Sequence, residues 1–286
     1  MTGYPMRRPM RKPLAKALPM AFAGGFMMLL SMPALAAGDA AEDAERWDLL
    51  HDMYFKDRPV EEAGDRMRID APARAHDAAL VPVRVEVDPS LHLKSLSLLV
   101  DKNPVPMAAT FRYGPASAGS TIETRVRVNE YTNLRAVGET QDGRLLMTRV
   151  FVKAAGGCSA PALKDPQEAL ARLGRIKVKL PETAGAAGSP ADAQLLISHP
   201  NASGLQFDQV SRTYIPAHYI QSIAIRVGGQ TVLEADTDIS ISEDPNLRFS
   251  FVPVAGGSLE VTAQDTKGAT FSQTVPLTAG GAQGGG

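Results

Sequence analysis

The sequence predicts an all-β protein built as two antiparallel β-sandwiches in tandem, preceded by a short helix. Three observations predict it. Apolar residues alternate with polar ones over many short runs, the pattern of half-buried strands. Turn-forming residues separate those runs about every eight to twelve positions, the spacing of a sandwich. A stretch of small residues near the middle of the chain divides the runs into two sets.

Residues 1–36 precede the folded part. Arg7, Arg8, Arg11, Lys12 and Lys16 form a basic region free of acids, an apolar run covers residues 17–32, and Ala34-Leu35-Ala36 is a small-x-small cleavage signature. The apolar run is too short for a membrane span and ends at a cleavage site, so 1–36 reads as a secretory signal peptide and the expected location is the periplasm. Arg7-Arg8 lacks the apolar continuation of a twin-arginine signal, which favours general secretion. Residues 37–66 comprise a small, acidic leader, read as mobile over 37–45, and an amphipathic helix over 46–56 presenting Trp47, Leu50, Met53 and Tyr54 on one face.

The first sandwich is expected over 67–153. Val81, Val83, Val85 and Val87 alternate with polar residues and proline. Runs at 93–100, 108–113, 122–128, 134–140 and 145–152 follow, with Asp101–Pro106 and Asp142-Gly143 as turns. Residues 154–174 are a linker of small residues ending in one or two helical turns, with Asp165 as N-cap and Pro166 at the first helical position. The second sandwich spans 175–278, its strands turning at Gly228-Gly229 and Lys267-Gly268. Residues 279–286 are mostly glycine and are expected to be disordered.

Composition excludes some functions. Aromatic residues make up 6% of the chain, too few for a stacking surface that binds single-stranded nucleic acid. Without residues 1–36 the chain keeps 25 basic residues against 31 acidic, a net charge of −6, which disfavours binding to a phosphate backbone. No phosphate-binding glycine loop is present, because the glycine pairs fall in hairpin turns or in the linker.

The chain has one cysteine, Cys158, so it can form neither an internal disulfide nor a cysteine metal cluster. It sits in Ala154-Ala-Gly-Gly-Cys-Ser-Ala160, which offers few side chains to pack against, and paired glycines maximise backbone freedom. The expectation is an exposed thiol on a flexible arm formed by Gly156, Gly157 and Ser159. The nearest charges, Lys153 and Lys164, supply no base, so a covalent attachment point is favoured over a catalytic nucleophile. A docking module with an incidental thiol and a thiol redox sensor remain as alternatives.

Several runs carry a family resemblance. Leu96–Met107 with its Leu-Val-Asp-Lys-Asn-Pro core, Phe111–Pro115, Thr124–Val128, Leu134–Val137 and Gly156-Gly157-Cys158 resemble SoxY, the sulfur-oxidation subunit that carries intermediates on a cysteine. Leu196–Pro200 with its Ile-Ser-His-Pro core, Gly204-Leu205, Ile215-Pro216, Tyr219-Ile220 and Asp244–Leu247 resemble its partner SoxZ. The order is that of fused SoxYZ carriers, a group associated with quinoprotein dehydrogenases. The resemblance implies two immunoglobulin-like domains, a sulfur cargo on Cys158, no cofactor and no enzymatic activity. It also implies periplasmic redox enzymes as partners, of Sox type or associated with quinoprotein alcohol dehydrogenases. A non-covalent docking or chaperone module for such a dehydrogenase is the alternative function. One departure stands out. SoxY usually ends Gly-Gly-Cys-Gly-Gly at a free terminus, whereas here the cysteine lies in a loop tethered at both ends, so a partner's channel must admit two strands of chain.

The remaining candidates have plainer readings. His199 has no second ligand at helical or hairpin spacing and reads as a turn histidine, so no metal site is expected. His51 and His76 read as surface residues, the acids within 61–65 as a solvated face, and Asn201-Ala-Ser203 as an incidental glycosylation triplet.

Overall fold

The structure, a computed structural model, describes residues 34–161, 166–181 and 188–277. Nearly all of the signal segment, the Asp165 cap and the glycine tail lie outside the described residues. The fold is all-β; among the described residues helices occur only at Ala34–Phe55 and Pro166–Ala171, with short 3-10 turns at Gly64–Arg66 and Pro89–Leu91.

Two sheets face each other. The nine-stranded sheet runs in the order Val60–Glu62, Leu145–Val152, Thr132–Thr140, Leu93–Val100, Met107–Tyr113, Gln230–Thr237, Ile220–Val227, Ser258–Asp265, Thr270–Pro276. The six-stranded sheet runs Met67–Asp70, Val81–Val87, Ser117–Val126, Asn246–Phe251, Ala191–Ile197, Ile176–Lys179. Both sheets therefore cross from the first half of the chain into the second. The seams are antiparallel pairings, with Phe111 opposite Ala235 in one sheet and Ile122 opposite Phe249 in the other. Each half closes an edge of the other, which removes strand edges that would otherwise be open to pairing with other chains. One apolar core spans the seam, from Val81, Leu96 and Phe111 to Ile225, Phe249 and Val261.

Alternation holds where one face of a sheet meets solvent. Val81, Val83, Val85 and Val87 are buried while Pro82, Arg84 and Glu86 are not. It fails in Thr132–Thr140, which is buried along nearly its whole length. There the second face is covered by the N-terminal helix, whose Trp47, Tyr54 and Phe55 pack on Leu99, Val137, Leu145 and Met147. The helix is longer than expected, since the leader over 37–45 belongs to it. Its buried positions are also redistributed: Leu50 and Phe55 face the sheet, but Met53 is exposed. The acids at 61, 62 and 65 are exposed, as expected of a solvated face. Val60–Glu62 nevertheless pairs in parallel with Leu145–Met147. A two-stranded hairpin, Phe207–Asp208 with Thr213–Tyr214, projects from the second half and had no clear alternation to announce it.

A buried ion pair anchors the helix to the sheet. Arg135 Nε donates to Asp101 Oδ2 at 2.7 Å, and both side chains are buried. The Arg135 guanidinium lies 4.4 Å from the Trp47 ring centroid, and Arg46 Nε donates to the Asp101 carbonyl at 2.7 Å.

Candidate functional site around Cys158

Cys158 is fully buried, which corrects the expectation of an exposed thiol on a free arm. The segment is short of apolar anchors, as its composition says, but it is held by hydrogen bonds instead. Gly156 N–H donates to Asn129 O and Gly157 N–H to Val128 O, each at 2.9 Å. From the second half, Ser203 Oγ–H donates to Cys158 O and Gln206 Nε2–H to Ala160 O. Ser159 Oγ–H closes a local turn on Gly156 O. The segment is a strap across the seam, pinned from both halves.

The two glycines serve that seat in different ways. Gly156 has φ +81°, a conformation that side-chain-bearing residues adopt at a cost, with open space around it. Gly157 is set by contact: a Cβ there would stand 2.0 Å from Ala78 O and 2.7 Å from Val128 O. The glycine pair therefore permits close backbone approach as well as flexibility.

Arg127 lies beneath the strap and is buried, although alternation from Ile122 onward would place it outward. The strand Ser117–Val126 has just ended, and what would be its solvent side is covered by the strap and by the loop following Ile197. Arg127 Nη1 donates to Gly157 O and Nη2 to Asn201 O, both at 3.2 Å, while Nε has no partner. Asn103, within the Leu-Val-Asp-Lys-Asn-Pro run, donates to Arg127 O at 2.7 Å and to Ser240 Oγ at 2.8 Å. Its Oδ1 accepts from Asn129 N–H. That run is thus a bracket under the strap. Sequence reasoning noted these residues only as part of a resemblance and missed Arg127, Ser203 and Gln206 as contacts, because tertiary crossings supply them.

Burial pushes the Cys158 thiol up to about 11, and the Arg127 charge offsets only part of that effect. The seated sulfur is a neutral thiol at physiological pH and a poor nucleophile. The side chains that hydrogen-bond to the strap, Arg127, Ser203 and Gln206, offer no general base.

His199 is buried beside His218 and Asp265, partners distant in sequence that spacing could not reveal. His218 Nε2 lies 2.8 Å from Asp265 Oδ2, and His199 Nε2 lies 3.6 Å from the same oxygen. Three such groups invite a metal reading, but the hydrogen bonds around them oppose it. Asn201 N–H donates to His199 Nδ1, so the neutral ring carries its proton on Nε2, the nitrogen that would have to ligate. Asp265 Oδ1 accepts the amides of Lys267 and Ala269. The cluster is a hydrogen-bonded support for Asn201, and through Asn201 O for Arg127. Asn201 of the glycosylation triplet is itself fully buried. Of the other histidines, His76 is exposed and His51 is partly buried, its Nε2 2.8 Å from Arg58 O.

Burial and the neighbouring His218 push His199 down to about 4. Protonating its Nδ1 would set one N–H against another and displace the Asn201 amide. The folded pKa lies below the unfolded value of about 6.5, so the unfolded chain binds more protons between those limits. Stability is full above pH 6.5 and is lost as pH falls through 4. Urea midpoints are expected to fall over this window by the equivalent of roughly 3 kcal/mol, and His199→Gln should flatten that part of the profile. An equal slope in the variant would remove His199 as the cause.

The family described as "Sulfur oxidation protein SoxY" matches residues 51–158, and that described as "Sulphur oxidation protein SoxZ" matches residues 178–276. The first match ends on Cys158. Among solved structures, the sulfur carrier protein SoxY from Chlorobium limicola f thiosulfatophilum is 26% identical, covering 41% of this chain and 99% of that one with a TM-score of 0.36. A β-glycosidase from Bacteroides vulgatus is 12% identical over 77% of this chain and 25% of its own, with a TM-score of 0.24. SGBP-B of the mixed-linkage glucan utilization locus from Bacteroides ovatus, solved in complex with a mixed-linkage heptasaccharide, is 16% identical over 75% of this chain and 48% of its own, with a TM-score of 0.21. No curated protein matches.

Proposed function

The chain belongs to the SoxY and SoxZ sulfur-oxidation families, joined in that order in one polypeptide, and from this premise we propose that it holds a sulfur-containing intermediate covalently on Cys158 and presents it to partner redox enzymes. The observation that carries the reading is the strap. The chain's only cysteine, at the last residue of the SoxY match, sits in a segment held mainly by hydrogen bonds rather than by apolar side chains. Each such bond contributes about 1 kcal/mol net. Releasing the strap therefore costs a few kcal/mol, an amount that partner binding can supply.

In this reading the seated state is the resting state. The thiol is protonated and shielded from oxidation, which matters for an unpaired cysteine in an oxidising compartment. Loading and unloading take place with the strap released, where the thiol regains an ordinary pKa and the partner supplies the base. The chain itself is a carrier and not a catalyst. The basic and apolar segment over 1–36 supports export to the periplasm, and no helix among the described residues is long and apolar enough to cross a membrane. A strap tethered at both ends favours partners with open clefts. Sox-type redox enzymes are the partners the family points to.

Intact-mass measurement on protein purified from its host tests the reading. An added mass on the chain, removed by reductant and absent from Cys158→Ser, is the expected result. A bare thiol under sulfur-oxidising conditions, with Cys158→Ser fully functional in the host, would overturn covalent carriage.

A further inference from the structure

Arg127 forms no ion pair with any described residue in the resting state, and the carboxylates of Glu243 and Asp77 act on it only at longer range. It is 1% exposed, and its two hydrogen-bond partners, Gly157 O and Asn201 O, are neutral carbonyls. Its Nε is buried with no partner at all. Burying a cation costs several kcal/mol unless an anion and a full set of hydrogen bonds offset it. Burial lowers the pKa of Arg127, and the group that would oppose this most is Cys158 in an anionic form, ahead of Glu243 and Asp77. A neutral thiol makes poor use of this arrangement. A glutamine or methionine would fill a similar volume without the desolvation cost.

The carbonyl of Gly157, which Arg127 holds, immediately precedes Cys158, so whatever extends from the sulfur begins one residue from the guanidinium. We infer that Arg127 is an anion-binding residue for the cargo, receiving the negatively charged terminal oxo group of an adduct on Cys158 when the strap closes over it. The inference rests on the carrier reading above and adds to it a residue that would hold an anionic cargo in the closed strap. A guanidinium suits this role better than an ammonium, because its planar set of donors can engage two oxygens at once. An anionic adduct therefore closes the strap more firmly than a neutral adduct of similar size. Anionic cargo is shielded until a partner opens the strap.

Two adducts on the full chain test this. Tetrathionate loads an anionic one: the Cys158 thiolate attacks a central sulfur, thiosulfate leaves, and Cys158–S–S–SO3⁻ remains. Methyl methanethiosulfonate loads a neutral one: the thiolate attacks the thiomethyl sulfur, methanesulfinate leaves, and Cys158–S–S–CH3 remains. Both steps exchange one sulfur–sulfur bond for another and need no further oxidant. The quantity read is the rate at which dithiothreitol strips each adduct from the protein, divided by the rate for a short peptide carrying the same adduct. In the wild type the anionic adduct should be protected at least about tenfold more than the neutral one, equivalent to about 1.4 kcal/mol. In Arg127→Gln the ratio should fall to about one, and in Arg127→Lys to an intermediate value. The ratio is taken within each protein, so a general loosening of the variant does not imitate the effect. Should Arg127→Gln fail to fold, the wild-type ratio together with Arg127→Lys decides. Equal protection of the two adducts in the wild type, or an unchanged ratio in a folded variant, would overturn the role of Arg127. Neither result bears on whether Cys158 is loaded in the host, which the mass measurement decides separately.

Discussion

Gly157→Ala is expected to make Cys158 at least about tenfold more reactive toward iodoacetamide at neutral pH. An added Cβ would sit 2.0 Å from the carbonyl oxygen of Ala78 and 2.7 Å from that of Val128. Both are backbone atoms of the first half, and neither belongs to a flexible side chain that could swing away. Overpacking of this kind costs about 1–3 kcal/mol, and each 1.4 kcal/mol is a factor of ten in an equilibrium. The cost falls on the closed strap alone, because the released strap has room for a methyl group. The open fraction rises accordingly, and alkylation follows it. Gly156→Ala is the informative companion. It meets no neighbour but must hold a left-handed backbone, a strain of about 1–2 kcal/mol, so it should give a smaller increase. Ser159→Ala, which removes one exposed hydrogen bond, should give little. If Gly157→Ala alkylated as slowly as the wild type, the seated strap would not be the resting state in solution.

Asp101→Ala is expected to cost about 3–5 kcal/mol in global stability, the usual result of stranding a buried charge. Arg135 would lose its 2.7 Å partner in a place where its side chain has no solvent access. The remaining contacts of that guanidinium, the Trp47 ring and the Met147 sulfur, carry no countercharge. Burial already raises the pKa of the Asp101 carboxyl, and the Arg135 charge opposes that shift. The pair is thus held near the limit of what it can offset. The double variant Asp101→Ala/Arg135→Met should recover most of the loss, because it removes both desolvated charges. Urea unfolding of the three proteins measures this directly. A loss below about 1 kcal/mol for the single variant, the range of exposed pairs, would mean that water reaches the pair.

These two sites divide between what was legible in the chain and what was not. The strands were legible wherever one face of a sheet meets water, since alternation records a difference between two environments. It is lost at Leu98–Val100 and along Thr132–Thr140, where the N-terminal helix covers the second face and both sets of positions are buried. It misleads at Arg127, where strand periodicity says outward and the covering loop makes outward an interior. The hairpin glycines at 228 and 229 were legible because a tight turn requires positive φ, and both adopt it. Gly157 looked the same in sequence and has a different reason, a backbone contact that no local pattern encodes.

By itself the sequence determined that the protein is all-β and two-part, that it has a single thiol, and that this thiol lies in a segment with almost no side chains to bury it. These follow from local chemistry: side-chain period, turn propensity and composition. Only the tertiary structure decided that the two parts share both sheets and one core. Only it decided that the cysteine segment lies pinned across their seam above a buried arginine, and that His199 meets His218 and Asp265 beneath. Each of these depends on groups far apart in the chain, brought together by strand pairing and hydrogen bonds to backbone carbonyls. Every residue carries such a carbonyl, so the sequence does not say which of them will be met.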